Sequence, residues 1–282
     1  MLNSRLHIFL LLLLCSCSNH VALPIDPEDI EPSITHSPEV TRELVETVFP
    51  TNTAHSFTTK LAPTEIPPTN LTPTVAITSI PELPMCSPIQ GFALEDLPRI
   101  ISVGYRPPPK GQDDRHEGVD FCFYTWKDLG SIEGKIVQAV LPGRVAAALN
   151  GTFPYGSFVI IETPGDSIPQ GLRETLEMKV DESLYTLFAH LQDQSLKVEL
   201  DEEVLQCQAL GSVGRTGNTN APHLHFETRI GLSGARFIGM SNFINSATSE
   251  ERKNYRIWRI SGLYNHFDPM DLLRWGIEFS AQ

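Results

Sequence analysis

Positive charge is in short supply: lysine and arginine number 21 against 34 aspartates and glutamates, a formal net charge of −13 over 282 residues. That balance excludes the basic footprint of a nucleic-acid binder and electrostatic adhesion to anionic lipid, so no nucleic-acid partner is expected. Long apolar runs are missing as well. Ile8 to Leu14 falls far short of the ~20 residues that cross a bilayer as a helix. Helical periodicity is equally scarce, with Met270 to Trp275 and Glu39 to Thr47 as short candidates, which leaves a β architecture for the part that folds.

The chain divides unevenly into residues 1–17, 18–85 and 86–282. Arg5 and the amino terminus form a short positive region ahead of the apolar run, the pattern of an export signal. Leu14-Cys15-Ser16-Cys17 resembles a bacterial lipobox, in which the cysteine after a small residue is lipidated and becomes the first residue of the mature chain. The resemblance implies a lipid on Cys17, membrane attachment through it, and an extracytoplasmic location on the outer face of the cytoplasmic membrane or on the outer membrane of a bacterium. Several acyl chains on one cysteine hold durably, at about 0.8 kcal/mol per buried methylene. A plain cleaved signal peptide with incidental cysteines is the alternative. Residues 18–85 hold 11 of the 22 prolines and 12 threonines and cannot bury enough surface to fold. A disordered tether is expected there, spanning about 45 Å as a coil and on the order of 200 Å in a polyproline-like form.

From Cys86 onward, short apolar runs of period 2 alternate with glycine and proline punctuation. Ile136 to Leu149, Ser157 to Thr163, Leu184 to Leu191 and His223 to Arg229 read as strands. The expected fold is mainly β, an antiparallel sheet or sandwich with its core at about 110–230 and a C-terminal extension over 231–282. It carries two insertions, an acidic loop around Gly165 to Glu182 and a longer excursion from Gly231 to Tyr264.

Five histidines lie in this part, at 116, 190, 223, 225 and 266. In His116-Glu117-Gly118-Val119-Asp120 an extended backbone turns residues 116, 118 and 120 to one face, so imidazole and carboxylate converge over Gly118, which leaves room for an ion. In Pro222-His223-Leu224-His225-Phe226-Glu227 the same alternation places His223, His225 and Glu227 together while Leu224 and Phe226 face the core. In Tyr185-Thr186-Leu187-Phe188-Ala189-His190-Leu191 the histidine closes an apolar strand. Taken singly, each segment reads equally as a surface pair, a solvated strand face or a satisfied edge residue.

Together, His116-x-x-x-Asp120, Ala189-His190-Leu191 and the run from Thr216-Gly217-Asn218 through Ala221-Pro222-His223-Leu224-His225-Phe226-Glu227 resemble the lysostaphin-type (LytM-like) zinc endopeptidases. The match covers roughly His116 to Glu227, and Phe267-Asp268-Pro269 resembles the family's strand-closing tail. Gly134 to Val145 resembles its paired strands with a Pro-Gly turn. The resemblance implies a duplicated hybrid motif fold and one zinc ion held by His116, Asp120 and His225. His190 and His223 would be the histidines that assist the reaction. Two imidazoles and one carboxylate leave a fourth corner for water, as working zinc sites do. Glu227 reads either as a partner of a ligand imidazole or as a surface glutamate.

The implied activity is zinc-dependent hydrolysis of peptide bonds in peptidoglycan crosslinks or stem peptides, in cell-wall remodelling, with peptidoglycan peptides as partners. Two alternatives stand beside it: a non-catalytic peptidoglycan-binding or amidase-activating module of the same fold, and a surface binder whose zinc is closed by a fourth protein ligand. Lysostaphin's close relatives carry a tyrosine shortly before the first ligand. Here that stretch is Gly111-Gln112-Asp113-Asp114-Arg115, and Tyr105 is farther away. Arg252, Lys253, Arg256 and Arg259 either rim a groove for an acidic glycan-peptide or belong to a solvated cap. Cys86, Cys122 and Cys207 permit one disulfide whose pairing the sequence does not specify. Cys122 shares strand parity with Asp120 and reads as a neighbour of the zinc or as a buried apolar residue.

Overall fold

The structure, a computed structural model, describes residues 85–122 and 130–280. The leader, Cys17 and all of the expected tether except Met85 lie outside the described residues. A 3-10 segment, Leu94–Ile100, runs into β1 (Ile101–Val103), then β2 (Val119–Phe121), β3 (Ile136–Gln138), β4 (Gly143–Thr152) and β5 (Gly156–Pro164). After α1 (Gln170–Thr175) come β6 (Glu182–Leu191), β7 (Glu203–Val204), β8 (Ala209–Ser212) and β9 (Leu224–Leu232). The C-terminal part adds α2 (Ser249–Arg259), β10 (Tyr264–Phe267) and α3 (Pro269–Ser280).

Eight strands form one antiparallel sheet in the order β1-β2-β9-β6-β5-β4-β7, with β10 also paired to β9, while β3 and β8 form a separate two-stranded ribbon. The expected mainly β, antiparallel class is therefore the observed one. Within it, Ile136 to Leu149 is not one strand. The chain breaks at Pro142, β3 pairs with β8 and β4 pairs with β5, so the Pro-Gly turn joins two sheets. Gly143 is required at that corner because a Cβ there would run into the carbonyl of Glu162.

The central strands are covered on both sides. On one side Val159, Ile161, Leu184, Phe188, Leu224 and Phe226 pack with Ile89, Leu97 and Ile100 of the N-terminal segment and with Leu272 and Leu273 of α3. On the other, Ala147, Phe158, Ile160, Tyr185 and Leu187 pack under Phe237, Met240, Tyr255, Trp258 and Tyr264. The Gly231 to Tyr264 excursion is thus a lid that packs its inward apolar side chains on the second face of the sheet and keeps its outer side in solvent. Each large apolar side chain removed from water there contributes about 1.5–3 kcal/mol.

Helix α2 runs through a stretch with no sustained apolar period. Its start is nonetheless written in Thr248-x-x-Glu251: Thr248 Oγ1 accepts from the Glu251 amide at 3.2 Å and Glu251 Oε2 accepts from the Thr248 amide at 2.7 Å, a reciprocal cap. Six of its eleven residues are charged, which hides the apolar trio Tyr255, Ile257 and Trp258. The C-terminal helix is longer than Met270 to Trp275. It opens at Pro269, and the Asp268 carboxylate accepts from the Met270 amide at 2.9 Å, so Phe267-Asp268-Pro269 closes a strand and starts a helix.

The disulfide joins Cys86 to Cys207, 121 positions apart, and Cys122 is buried. The bond sits where the N-terminal segment enters the domain, beside the bonds from Cys86 N to Val140 O at 3.0 Å and from Cys207 N to Ala139 O at 2.9 Å. A closed loop of that length restricts the unfolded chain strongly. Replacing both partners by serine is expected to cost about 2–4 kcal/mol, read as a lower thermal midpoint that added reductant reproduces in the parent protein.

Candidate metal centre

Strand register does the first part of the assembly. β2 and β9 pair antiparallel with Asp120 directly opposite His225, and directly opposite residues share a face. His116 arrives from the loop ahead of β2, held by a backbone bridge to Arg106. Its Nδ1 donates to the Gly104 carbonyl at 3.0 Å, which turns Nε2 inward. That atom lies 3.0 Å from Asp120 Oδ1 and 3.1 Å from His225 Nδ1, and His225 Nδ1 lies 2.8 Å from Asp120 Oδ1. Among the described residues these three are the group whose donor atoms can share one metal ion, and Cys122 is not part of it.

Gly118 does not leave room for an ion. It leaves room for β9: a Cβ there would sit 2.5 Å from Phe226 O and 2.9 Å from His225 Cε1. The glycine lets the backbone ahead of β2 approach the strand that carries His225.

His190 reaches the site against the alternation of its own strand. Ala189 is opposite His225, so a regular strand would turn His190 to the other face, with Leu224. Its φ of +60 breaks the alternation. Left-handed backbone is uncommon outside glycine and is held here by the surroundings: the His190 amide donates to Tyr155 O at 3.0 Å. The His190 ring centre then lies 4.6 Å from that of His223 and 5.7 Å from that of His225. The Nδ1–H of His190 donates to Thr216 O at 2.8 Å and that of His223 to Ala221 O at 2.9 Å. Because a carbonyl can only accept, both rings are left with a bare Nε2. His266 stands apart, hydrogen-bonded through Nδ1 to the Tyr105 hydroxyl at 2.7 Å. Tyr105 is therefore engaged with β10, and only the Gly104 carbonyl beside it serves the site.

At Asp120 and His225 the surroundings favour the charged form of each group. Burial alone would raise the Asp120 carboxyl, but hydrogen bonds from His116 and His225 outweigh it and hold it well below the usual carboxylate range. Burial opposes charge on His225, yet the Asp120 and Glu227 carboxylates prevail and raise it to about 9. His190 goes the other way: burial, helped by His223 and His225, pushes it down to about 3, and burial also lowers His223.

Behind the donors lies a buried charged network that the motifs did not announce. Glu227 is fully buried and binds the His225 imidazole, so it is not a surface glutamate. Its Oε1 accepts from His225 Nε2 at 2.9 Å and from the Tyr155 hydroxyl at 2.7 Å. Its Oε2 accepts from Arg229 Nη2 at 2.8 Å and Trp258 Nε1 at 3.0 Å. Arg229, also fully buried, pairs with Glu117 as well, and its Nη1 donates to Trp258 O at 2.7 Å. Arg229 was findable, since period 2 from Glu227 puts it on the same face. Arg259 was not: instead of rimming a groove, its guanidinium points inward to Asp113. Arg252 binds the Ile244 carbonyl at 2.9 Å.

Residues 115–236 match the family model described as Peptidase family M23. That segment, about two fifths of the chain, is similar to the M23 peptidases. Over 120 residues the chain is 28% identical to the cell division protein DipM of Caulobacter vibrioides, covering 43% of this chain and 15% of that protein's length. The catalytic domain of lysostaphin from Staphylococcus simulans is 21% identical, with 64% of this chain and 98% of that domain covered and a TM-score of 0.38. A zinc containing peptidase from Vibrio cholerae is 23% identical, with 45% and 32% covered and a TM-score of 0.32. The M23 segment includes His116, Asp120, His190, His223, His225 and Glu227, whereas Asp113, Tyr255, Trp258 and Arg259 lie outside it.

The donor set suits zinc, the ion that the resemblance to M23 peptidases implies. Tetrahedral zinc bonds of about 2.0–2.2 Å hold donors about 3.3 Å apart, so the three atoms need to part by only a few tenths of an ångström. The tautomers fit as well, because each imidazole binds a fixed acceptor through its outer nitrogen. Gly118→Ala is expected to destabilise the fold by about 1–3 kcal/mol and to displace His225. The zinc content after dialysis against the metal should then fall below that of the parent protein.

Proposed function

We propose that the domain is a zinc-dependent endopeptidase that hydrolyses peptide bonds in peptidoglycan crosslinks or stem peptides, working outside the cytoplasm from a lipid on Cys17. The observation that carries this reading is the convergence of His116 Nε2, Asp120 Oδ1 and His225 Nδ1, at 2.8–3.1 Å from one another, beside two further imidazoles whose inner nitrogens are bare. The first three residues would hold the ion. Zinc bound there supplies a Lewis acid for the scissile carbonyl and lowers the pKa of water toward neutrality.

The chain's own residues do the rest. His190 and His223 are fixed by the Thr216 and Ala221 carbonyls, so each offers its Nε2 as an acceptor without needing to rotate. One takes a proton from the attacking water and delivers it to the leaving amine. An imidazole that has taken the proton becomes a donor, able to hydrogen-bond the oxygen on which negative charge develops. Three side-chain ligands of this kind leave a coordination corner open, which favours a working site over one closed for structure.

Zinc content and release of dye-labelled fragments from sacculi, measured on the full chain, test the assignment. His225→Ala and Asp120→Ala are expected to lose both metal and activity. His190→Ala and His223→Ala should keep the metal and lose about 10²–10⁴-fold in rate. Zinc-loaded protein that binds sacculi and releases nothing, with both of the latter substitutions silent, would replace this reading by the non-catalytic one. For the anchor, Cys17→Ala is expected to move the protein from the membrane fraction to the soluble fraction of a bacterial host. Retention of the variant in the membrane would refute lipidation at that residue.

A further inference from the structure

The lid over the second sheet face ends its helix with a charged residue that is turned inward. Arg259, at the end of α2, keeps only 10% of its side chain exposed. Its Nε donates to Asp113 Oδ1 at 2.7 Å, and Nη2 reaches the same oxygen. Nη1 donates to Glu227 Oε1 at 3.2 Å and to the Tyr155 hydroxyl at 3.3 Å, and Nη2 also meets the Arg115 carbonyl at 3.4 Å. Asp113 accepts a second bond, from the Tyr255 hydroxyl at 2.6 Å.

These partners belong to two different carriers of metal ligands. Asp113 and Arg115 form the loop that runs directly into His116, and Glu227 is the carboxylate that fixes the ring of His225. One guanidinium therefore spans the two ligands from behind, and its planar fork suits several fixed acceptors at once as an ammonium does not. An exposed ion pair would matter little. Here the carboxylates are buried, and removing their partner leaves them uncompensated.

We propose that Arg259 is a positioning residue of the metal centre, locking the loop that delivers His116 against the carboxylate that orients His225. The helix that carries it lies beyond the M23 segment, so the C-terminal lid sets the geometry and affinity of the site as well as covering the sheet. The inference rests on the metal-site reading given above.

The test uses the full chain, with Zn²⁺ affinity read by competition with a chromogenic chelator, Co²⁺ substitution read by its visible absorption, and thermal unfolding without metal. Arg259→Gln is expected to weaken Zn²⁺ binding 10–100-fold, the usual cost of losing a group that orients a ligand, and to alter the Co²⁺ band. Ile257→Ala serves as the control within the same helix. It should lower the unfolding midpoint and leave the Zn²⁺ affinity within about twofold of the parent value. Asp113→Asn, which keeps the Arg259 to Glu227 contact, should weaken binding less, and combining it with Arg259→Gln should add little to the loss. Should Arg259→Gln fail to fold, Asp113→Asn carries the test alone. Unchanged affinity and an unchanged Co²⁺ band in the substituted chains, or an equal loss in Ile257→Ala, would overturn the role of Arg259 while leaving the metal site in place. A parent chain that takes up no Zn²⁺ would overturn the metal-site reading and this inference with it.

Discussion

The pairing of β2 with β9 is the constraint on which the site depends. It sets Asp120 against His225, and because side chains alternate with a period of two, a slip of one residue would turn one of them to the opposite face. The register is held by what lies on that opposite face. Phe121, Leu224 and Phe226 are buried in the main core, so any slip would expose them while burying polar groups. Gly118 belongs to the same constraint, since the backbone ahead of β2 can approach β9 only where no side chain intervenes.

Burying Arg229, Glu227 and Glu117 completely is costly in itself, and such a cluster is weak evidence for stability. Its shape suggests another purpose. Every polar atom of Glu227 is engaged, one oxygen toward His225 and Tyr155, the other toward Arg229 and Trp258. An imidazole that donates to so tightly held a carboxylate has little freedom to tilt or to change tautomer, which is the preorganisation a metal ligand needs. The network also ties the sheet to the lid, because Trp258 contributes both its indole N–H and its carbonyl.

The lid changes the character of the sheet. An antiparallel sheet normally leaves one face to water. Here β5, β6 and β9 are buried along most of their length, so the face that bears the histidines also bears a second apolar cluster. The site lies at the margin of that cluster, where Tyr155 separates the aromatic packing of Phe158 and Tyr255 from the ring of His225, 6.0 Å away.

The strands were legible in the sequence because their apolar alternation is local, and so was the meeting of His223, His225 and Glu227 on one face. The spacing of His116 and Asp120 likewise announced that these two side chains converge. Contacts made across the fold left no such trace. Nothing near His190 shows that its backbone turns left-handed, because that φ is imposed by Tyr155 and Thr216 from other segments. Helix α2 hid behind its charges, and Arg259 resembled any solvated arginine until the lid closed over it and a buried carboxylate on either side gave it partners. The pairing of Cys86 with Cys207 was equally a matter of distance in space. Local periodicity determined the central strands and the side most of their residues face; the packing of segments far apart in the chain decided where Ile136 to Leu149 breaks, which side His190 takes and which of those sides meet, because only the folded chain brings their charges out of water together.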